Sequence, residues 1–155
     1  MRYRLTIPAR INVLGNPSDG NEGDFATISA AVDVYAGALI EPADGLILER
    51  LCPTTAGFES VQRLSCTPDQ IPFPYDGQLN LVKGAINRLT QACPDLREQM
   101  ARQGIRIATW TDVPRQSGLG GSSLFVLLTL AGLREFYKLD RHLYNDYVLA
   151  EMTQR

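Results

Sequence analysis

Residues 124–137 are apolar on nearly every side of a helical projection, and only burial can satisfy such a pattern. The segment reads as a helix in the interior of the fold. It is entered through Gly118-Leu119-Gly120-Gly121-Ser122-Ser123, after a predicted strand over 104–109 and a connector over 110–117. Glycines let the backbone bend tightly and let a ligand approach with no Cβ in the way. The first turn of a helix carries free N–H groups and a partial positive charge, so it suits phosphate. A plainer reading is a capped core helix with a flexible entry, with Ser122 or Ser123 as the cap. Either hydroxyl is equally suited to face a phosphate oxygen or Mg2+.

The rest of the chain reads as one α+β domain. Residues 2–7 alternate as a strand that runs into Pro8, and 11–14 form a second short apolar piece closed by Gly15. Residues 16–24 are nearly all turn formers and read as a loop. The apolar run 25–40 ends in a predicted strand at 36–40. Residues 46–51 are expected to be its hairpin partner, after a turn at Asp44-Gly45. Residues 52–78 read mostly as loop, with a short strand near 61–64. Leu79, Val82, Ala85, Ile86 and Leu89 recur at helical spacing and predict an amphipathic helix over 78–92, with Lys83 on its wet face. A last helix is expected over 141–155.

Composition excludes several classes. The formal net charge of the 155 residues is −2 and no block of Lys or Arg stands out, which argues against a nucleic-acid backbone as partner. Cys52, Cys66 and Cys93 form no CxxC pair and His142 is the single histidine, so neither a zinc site nor a disulfide framework is indicated. Reduced thiols and a cytoplasmic location are expected. No apolar run approaches the ~20 residues that a membrane helix needs, and the first residues have no signal-peptide core. His142 reads as a surface residue.

Three familiar nucleotide motifs do not fit the glycine turn. A Walker A loop needs a Lys before its Ser or Thr. A Rossmann fingerprint needs Gly or Ala where Ser123 stands. A protein-kinase loop needs its own glycine pattern and an HRD segment.

Pro114-Arg115-Gln116-Ser117-Gly118-Leu119-Gly120-Gly121-Ser122-Ser123 is instead similar to the second motif of the GHMP kinases, the superfamily of galactokinase, homoserine kinase and mevalonate kinase. Pro114, Gly118, Leu119, Gly120 and Ser122 match in register, Gly121 replaces the first Ser of the motif, and Ser123 its Ala. Pro8-Ala9-Arg10-Ile11-Asn12-Val13-Leu14-Gly15-Asn16-Pro17-Ser18-Asp19-Gly20 resembles the family's first motif, and its Leu-Gly-Asn-Pro-Ser-Asp-Gly run looks like that of the glucuronokinases.

This resemblance implies a ribosomal protein S5 domain 2-like fold, a mixed sheet with helices on one side. It implies ATP and Mg2+ as cofactors and a sugar or sugar acid as acceptor. Pro114, Gly118, Leu119, Gly120, Gly121, Ser122 and Ser123 would hold the nucleotide, with Ser122 also at the metal. Asn16, Ser18 and Asp19 would bind the substrate. Arg10 would be catalytic, a permanent cation between donor and acceptor. Taken singly, Arg10 also reads as a surface charge and Asp19 as a turn former. Trp110 and Tyr75 fit either stacking on adenine or packing, with packing preferred.

In the family, the Mg2+-binding Glu and the Asp that orients the acceptor follow the second motif. Glu151 stands somewhat early for the first, and the second has no counterpart. The chain therefore reads as an amino-terminal GHMP domain over 1–155, truncated before a carboxyl-terminal domain. Such a piece is expected to turn over weakly alone and to expose apolar surface to a missing domain or a dimer partner. The alternatives are a non-catalytic nucleotide- or sugar-binding remnant, or a GHMP kinase for heptose phosphate, galactose or mevalonate.

Overall fold

The computed structural model describes residues 1–15, 26–114 and 116–154. Five strands form one mixed sheet in the order β1-β2-β5-β3-β4, where β1 is Tyr3–Leu14, β2 Ile28–Pro42, β3 Leu46–Thr54, β4 Gly57–Cys66 and β5 Ile105–Thr111. Only the β3–β5 pair is parallel. Helices α1 (Asn80–Ala92) and α3 (Gly121–Tyr137) cover one face, flanked by α2 (Leu96–Arg102) and α4 (Asp146–Gln154). This is the α+β architecture expected. Among the described residues, no helix is long and apolar enough to cross a membrane.

Alternation in the strands decides what is buried. Ala36, Ala38 and Ile40 of β2, Leu46 and Leu48 of β3, and Ile105 and Ile107 of β5 point toward the helices, each no more than 1% exposed. Leu128, Leu130 and Leu133 of α3 close the core over them.

Several expectations need correction. Residues 46–51 are not the hairpin partner of 36–40, because β5 inserts between β2 and β3. The turn after β2 instead straddles the start of β5, with Ala43 N–H donating to Gly104 O (3.2 Å) and Ile105 N–H to Gly45 O (2.8 Å). β5 buries Ile105 and Ile107 on its helix side and Ala108 and Trp110 on the other, so it gains more in the middle of the sheet than two neighbours gain from a local hairpin. Residues 52–78 are less loop-like than expected, since β3 runs to Thr54 and β4 spans Gly57–Cys66. The two amino-terminal pieces are a single strand through Pro8. It lies at the sheet edge, with a register shift between Pro8 and Ala9, where a missing N–H is tolerated.

Lys83 is not on a wet face. It is 4% exposed and donates to Asp76 Oδ1 at 2.7 Å. Lys83 stands four residues after Leu79 and three before Ile86, hence on the buried stripe. A buried ammonium needs a partner, and the turn before α1 supplies it. Asp76 Oδ1 also accepts the Gln78 N–H (3.0 Å), and the hydrogen bond from Lys83 is the main reason its carboxyl sits below the usual aspartate range. Asn87 fixes the preceding segment by exchanging two hydrogen bonds with the Phe73 backbone (2.7 and 2.9 Å).

The last helix begins at Asp146, later than expected. Asp140 Oδ1 accepts the His142 N–H (2.8 Å) and Asn145 Oδ1 the Val148 N–H (3.1 Å), so side chains hold a turn where a helix was expected to start. His142 is exposed.

The opposite sheet face carries a small cluster, Leu51, Ala108 and Trp110, beside a charged network. Arg106 pairs with both Glu41 and Glu49, and Glu49 is 2% exposed. Burial alone would push the Glu49 carboxyl up. Hydrogen bonds from Ser60 and Arg106 and the charges of Arg106 and Arg63 outweigh it and hold the carboxyl low.

Candidate active site

The loop after β5 is anchored before it turns. Asp112 N–H donates to Tyr35 O (2.9 Å), and Val113 N–H to Thr111 Oγ1 (3.0 Å). Val113 is buried and packs near Gly121. From there the backbone enters left-handed space three times, at Gln116 (φ 58°), Gly118 (φ 74°) and Gly120 (φ 75°). Gly120 is the N-cap of α3, with no side-chain capping bond. Neither Ser122 nor Ser123 is the cap, because the helix starts at Gly121 and places both within its first turn. The first helical hydrogen bond of α3 runs from Leu124 N–H to Gly120 O (3.4 Å). The N–H groups of 121–123 therefore have no helical acceptor, and the Ser122 and Ser123 side chains are exposed.

This turn forms one wall of a cleft of about 730 Å³. Pro114, Gly118, Leu119, Gly120, Gly121, Ser122 and Ser123 all line it. The wall opposite is supplied by Arg50, Leu51, Cys52 and Pro53 from the middle of β3 onward, by Val61 of β4 and by Leu81 of α1. One wall thus presents free amides and hydroxyls, and the other is mainly apolar. That pairing suits a ligand with an anionic chain at one end and a flat, poorly hydrated group at the other.

Arg10 reaches the same turn from the edge strand. A Cβ built on Gly120 would stand 3.7 Å from the Arg10 guanidinium carbon. Among the described residues Arg10 makes no ion pair. Nearby, Asn12 Oδ1 accepts the Ser29 hydroxyl at 2.8 Å, pinning the end of β1 to β2.

Asn16, Ser18, Asp19 and Arg115 lie outside the described residues. Trp110 does not line the cleft. It packs on the open sheet face, with Phe58 at 4.8 Å between ring centroids and the Arg4 guanidinium 5.5 Å from its ring. Tyr75 is also elsewhere, against Gly84 and a smaller recess beside α1. The residues that sequence reasoning missed are those of the opposite wall. All but Cys52 and Pro53 stood in predicted strands or the predicted helix, but no motif marked them as part of a site. No cluster of His, Cys, Asp or Glu among the described residues is built to hold a metal ion.

A mixed five-stranded sheet, a glycine turn feeding the first turn of a buried helix, and an edge-strand arginine beside that turn define a small-molecule kinase domain of the GHMP type. Residues 80–155 match the family model described as the GHMP kinases N terminal domain, and the chain belongs to that family. It is 31% identical over 133 residues to a probable glucuronokinase 2 of Arabidopsis thaliana, covering 84% of this chain and 35% of the relative. Glucuronokinase 1 of the same plant is 30% identical over 141 residues, covering 87% of this chain and 36% of the relative. Among solved structures, a D-glycero-D-manno-heptose 1-phosphate kinase from Bacteroides thetaiotaomicron superposes over 100% of this chain and 48% of its own, with a TM-score of 0.70 and 25% identity. The chain thus spans about a third of the length of the curated relatives and about half of that solved chain.

Proposed function

We propose that this domain binds ATP in the cleft between the glycine turn and the β3–β4 wall, and that the protein transfers the γ-phosphoryl group to a hydroxyl of a sugar or sugar acid. Kinases of this family use ATP. The observation that carries the reading is the approach of Arg10 to Gly120, because it brings the first motif beside the glycine turn that lines the cleft. The resemblance to glucuronokinases favours a sugar acid as acceptor.

Phosphoryl transfer depends mostly on positioning and charge neutralisation. The amides of 121–123 and the turn would hold the phosphate chain. The acceptor oxygen forms the new P–O bond as the bridge to the leaving diphosphate breaks and the hydroxyl proton is released. Arg10 would stabilise the charge that builds up between donor and acceptor. Asp19, with Asn16 and Ser18, would grip the sugar hydroxyls.

The residues present fit Mg2+ only in part. Ser122 offers a hydroxyl in the first turn, and a magnesium site completed by phosphate oxygens and water needs few protein ligands. When bound, the ion would neutralise phosphate charge.

The test is calorimetric titration of the chain with ATP and Mg2+, followed by ADP release with glucuronate, galactose and mevalonate in turn. ATP binding, with release greatest for glucuronate, is the expected result. A folded protein that binds no ATP would overturn the reading. Release greatest with mevalonate would move the acceptor outside the sugars.

A further inference from the structure

The cleft wall facing the glycine turn holds a residue to which no role has been attached. Arg50 lies in the middle of β3, with the same parity as buried Leu46 and Leu48, so it belongs to the helix-covered face of the sheet. It is half-buried and lines the cleft. The ladder slips next to it: Arg50 pairs with Gln62 but Leu51 with Ser60, which leaves Val61 as the extra residue of a bulge. Val61 lines the same cleft, and bulges of this kind re-aim side chains beside functional sites.

Two further observations point to a ligand. Arg50 is the single charged residue among the described residues lining the cleft. Among the described residues it also makes no ion pair or side-chain hydrogen bond, unlike Arg63 and Arg106 of the neighbouring strands, which pair with Glu49. A half-buried guanidinium without a carboxylate is an unmet demand for an anion.

We infer that Arg50 is a second phosphate-binding residue, holding the nucleotide's phosphate chain from the β3 wall while the glycine turn holds it from the α3 side. The inference rests on the proposed ATP site and adds to it a cation outside both sequence motifs. Guanidinium binding to phosphate is charge-assisted and needs no base contact, so Arg50 would act on any nucleoside triphosphate and on the phosphate chain alone.

The test is titration of the full chain and its Arg50→Gln, Arg50→Lys and Gly120→Val variants with ATP, inorganic tripolyphosphate and adenosine. Folding of each is checked by circular dichroism. R50Q should weaken ATP and tripolyphosphate at least about tenfold and leave adenosine unchanged. R50K should keep part of the affinity and its salt dependence. If G120V loses ATP but R50Q binds both phosphate ligands like the parent, the Arg50 inference fails and the ATP site stands. A loss confined to ATP and adenosine would make Arg50 a base contact and overturn the inference. If the parent chain binds neither ATP nor tripolyphosphate, the ATP site itself fails. Should R50Q not fold, R50K decides: affinity for tripolyphosphate unchanged in strength and in salt dependence would overturn the inference.

Discussion

The guanidinium of Arg10 faces Gly120, its carbon 3.7 Å from the place where a Cβ on that glycine would stand. One residue belongs to the edge strand β1 and the other caps the buried helix α3. Their proximity puts a permanent cation beside the end of a helix whose first amides have no helical acceptor. An anion bound at that turn would lie near both.

Gly120→Val should damage the cleft in two ways. The backbone at Gly120 has φ 75°, which a β-branched residue adopts only with strain. The new side chain would also fill the space between the turn and Arg10. ATP affinity should fall by more than about tenfold. Calorimetry on a folded variant checks this, and unchanged affinity would remove the turn from the nucleotide site.

Arg10→Ala should lower the rate of phosphoryl transfer more than it lowers ATP affinity. A cation aimed at developing charge is most useful in the transition state, where such donors are worth about 100-fold or more. Single-turnover measurements at saturating ATP separate the two effects. Arg10→Lys should recover part of the rate, since charge is kept and the planar fork is lost. An effect on ATP affinity alone would place Arg10 at the donor only.

Gly37→Ala should destabilise the fold. A Cβ there would lie 2.1 Å from the Trp110 ring, and Trp110 is 4% exposed. The ring is rigid and packs against Phe58, so the indole or the strand must shift to admit the added carbon. A loss of about 1–3 kcal/mol is expected from overpacking. Trp110 is the only tryptophan, so denaturation followed by its fluorescence reads both stability and local repacking.

Asp76→Asn should lower stability at neutral pH by leaving the Lys83 ammonium buried without its partner. The folded carboxyl sits below its unfolded value, chiefly through the hydrogen bond from Lys83. Its contribution is therefore complete above the ordinary aspartate range, about pH 3.9, and is lost as pH falls through the lower folded value. The Tm gap between parent and D76N should be constant from neutral pH to about pH 5 and narrow below about pH 4. A gap that ignores acid would rule out the pair as its source.

The sequence by itself determined the elements whose signals are local. The all-round apolar run 124–137 could only be an interior helix, and α3 is one. The spacing from Leu79 to Leu89 marked α1, and the glycines at 118 and 120 marked a tight turn, which the structure makes with positive φ at both. These follow from side-chain period and backbone sterics, which are properties of consecutive residues. Tertiary structure alone decided the rest. Nothing near residue 45 says that β5, some sixty residues on, will enter between β2 and β3, because strand order is set by which faces bury the most apolar surface together. Lys83 carried a polar label, and its burial depended on a carboxylate arriving from the turn before it. Arg50 and the apolar residues around it became a cleft wall only when the sheet laid β3 opposite the start of α3. Two motifs in one chain name the parts of a site, but the distance between Arg10 and Gly120 is fixed by a sheet edge and a helix end packing on the same core.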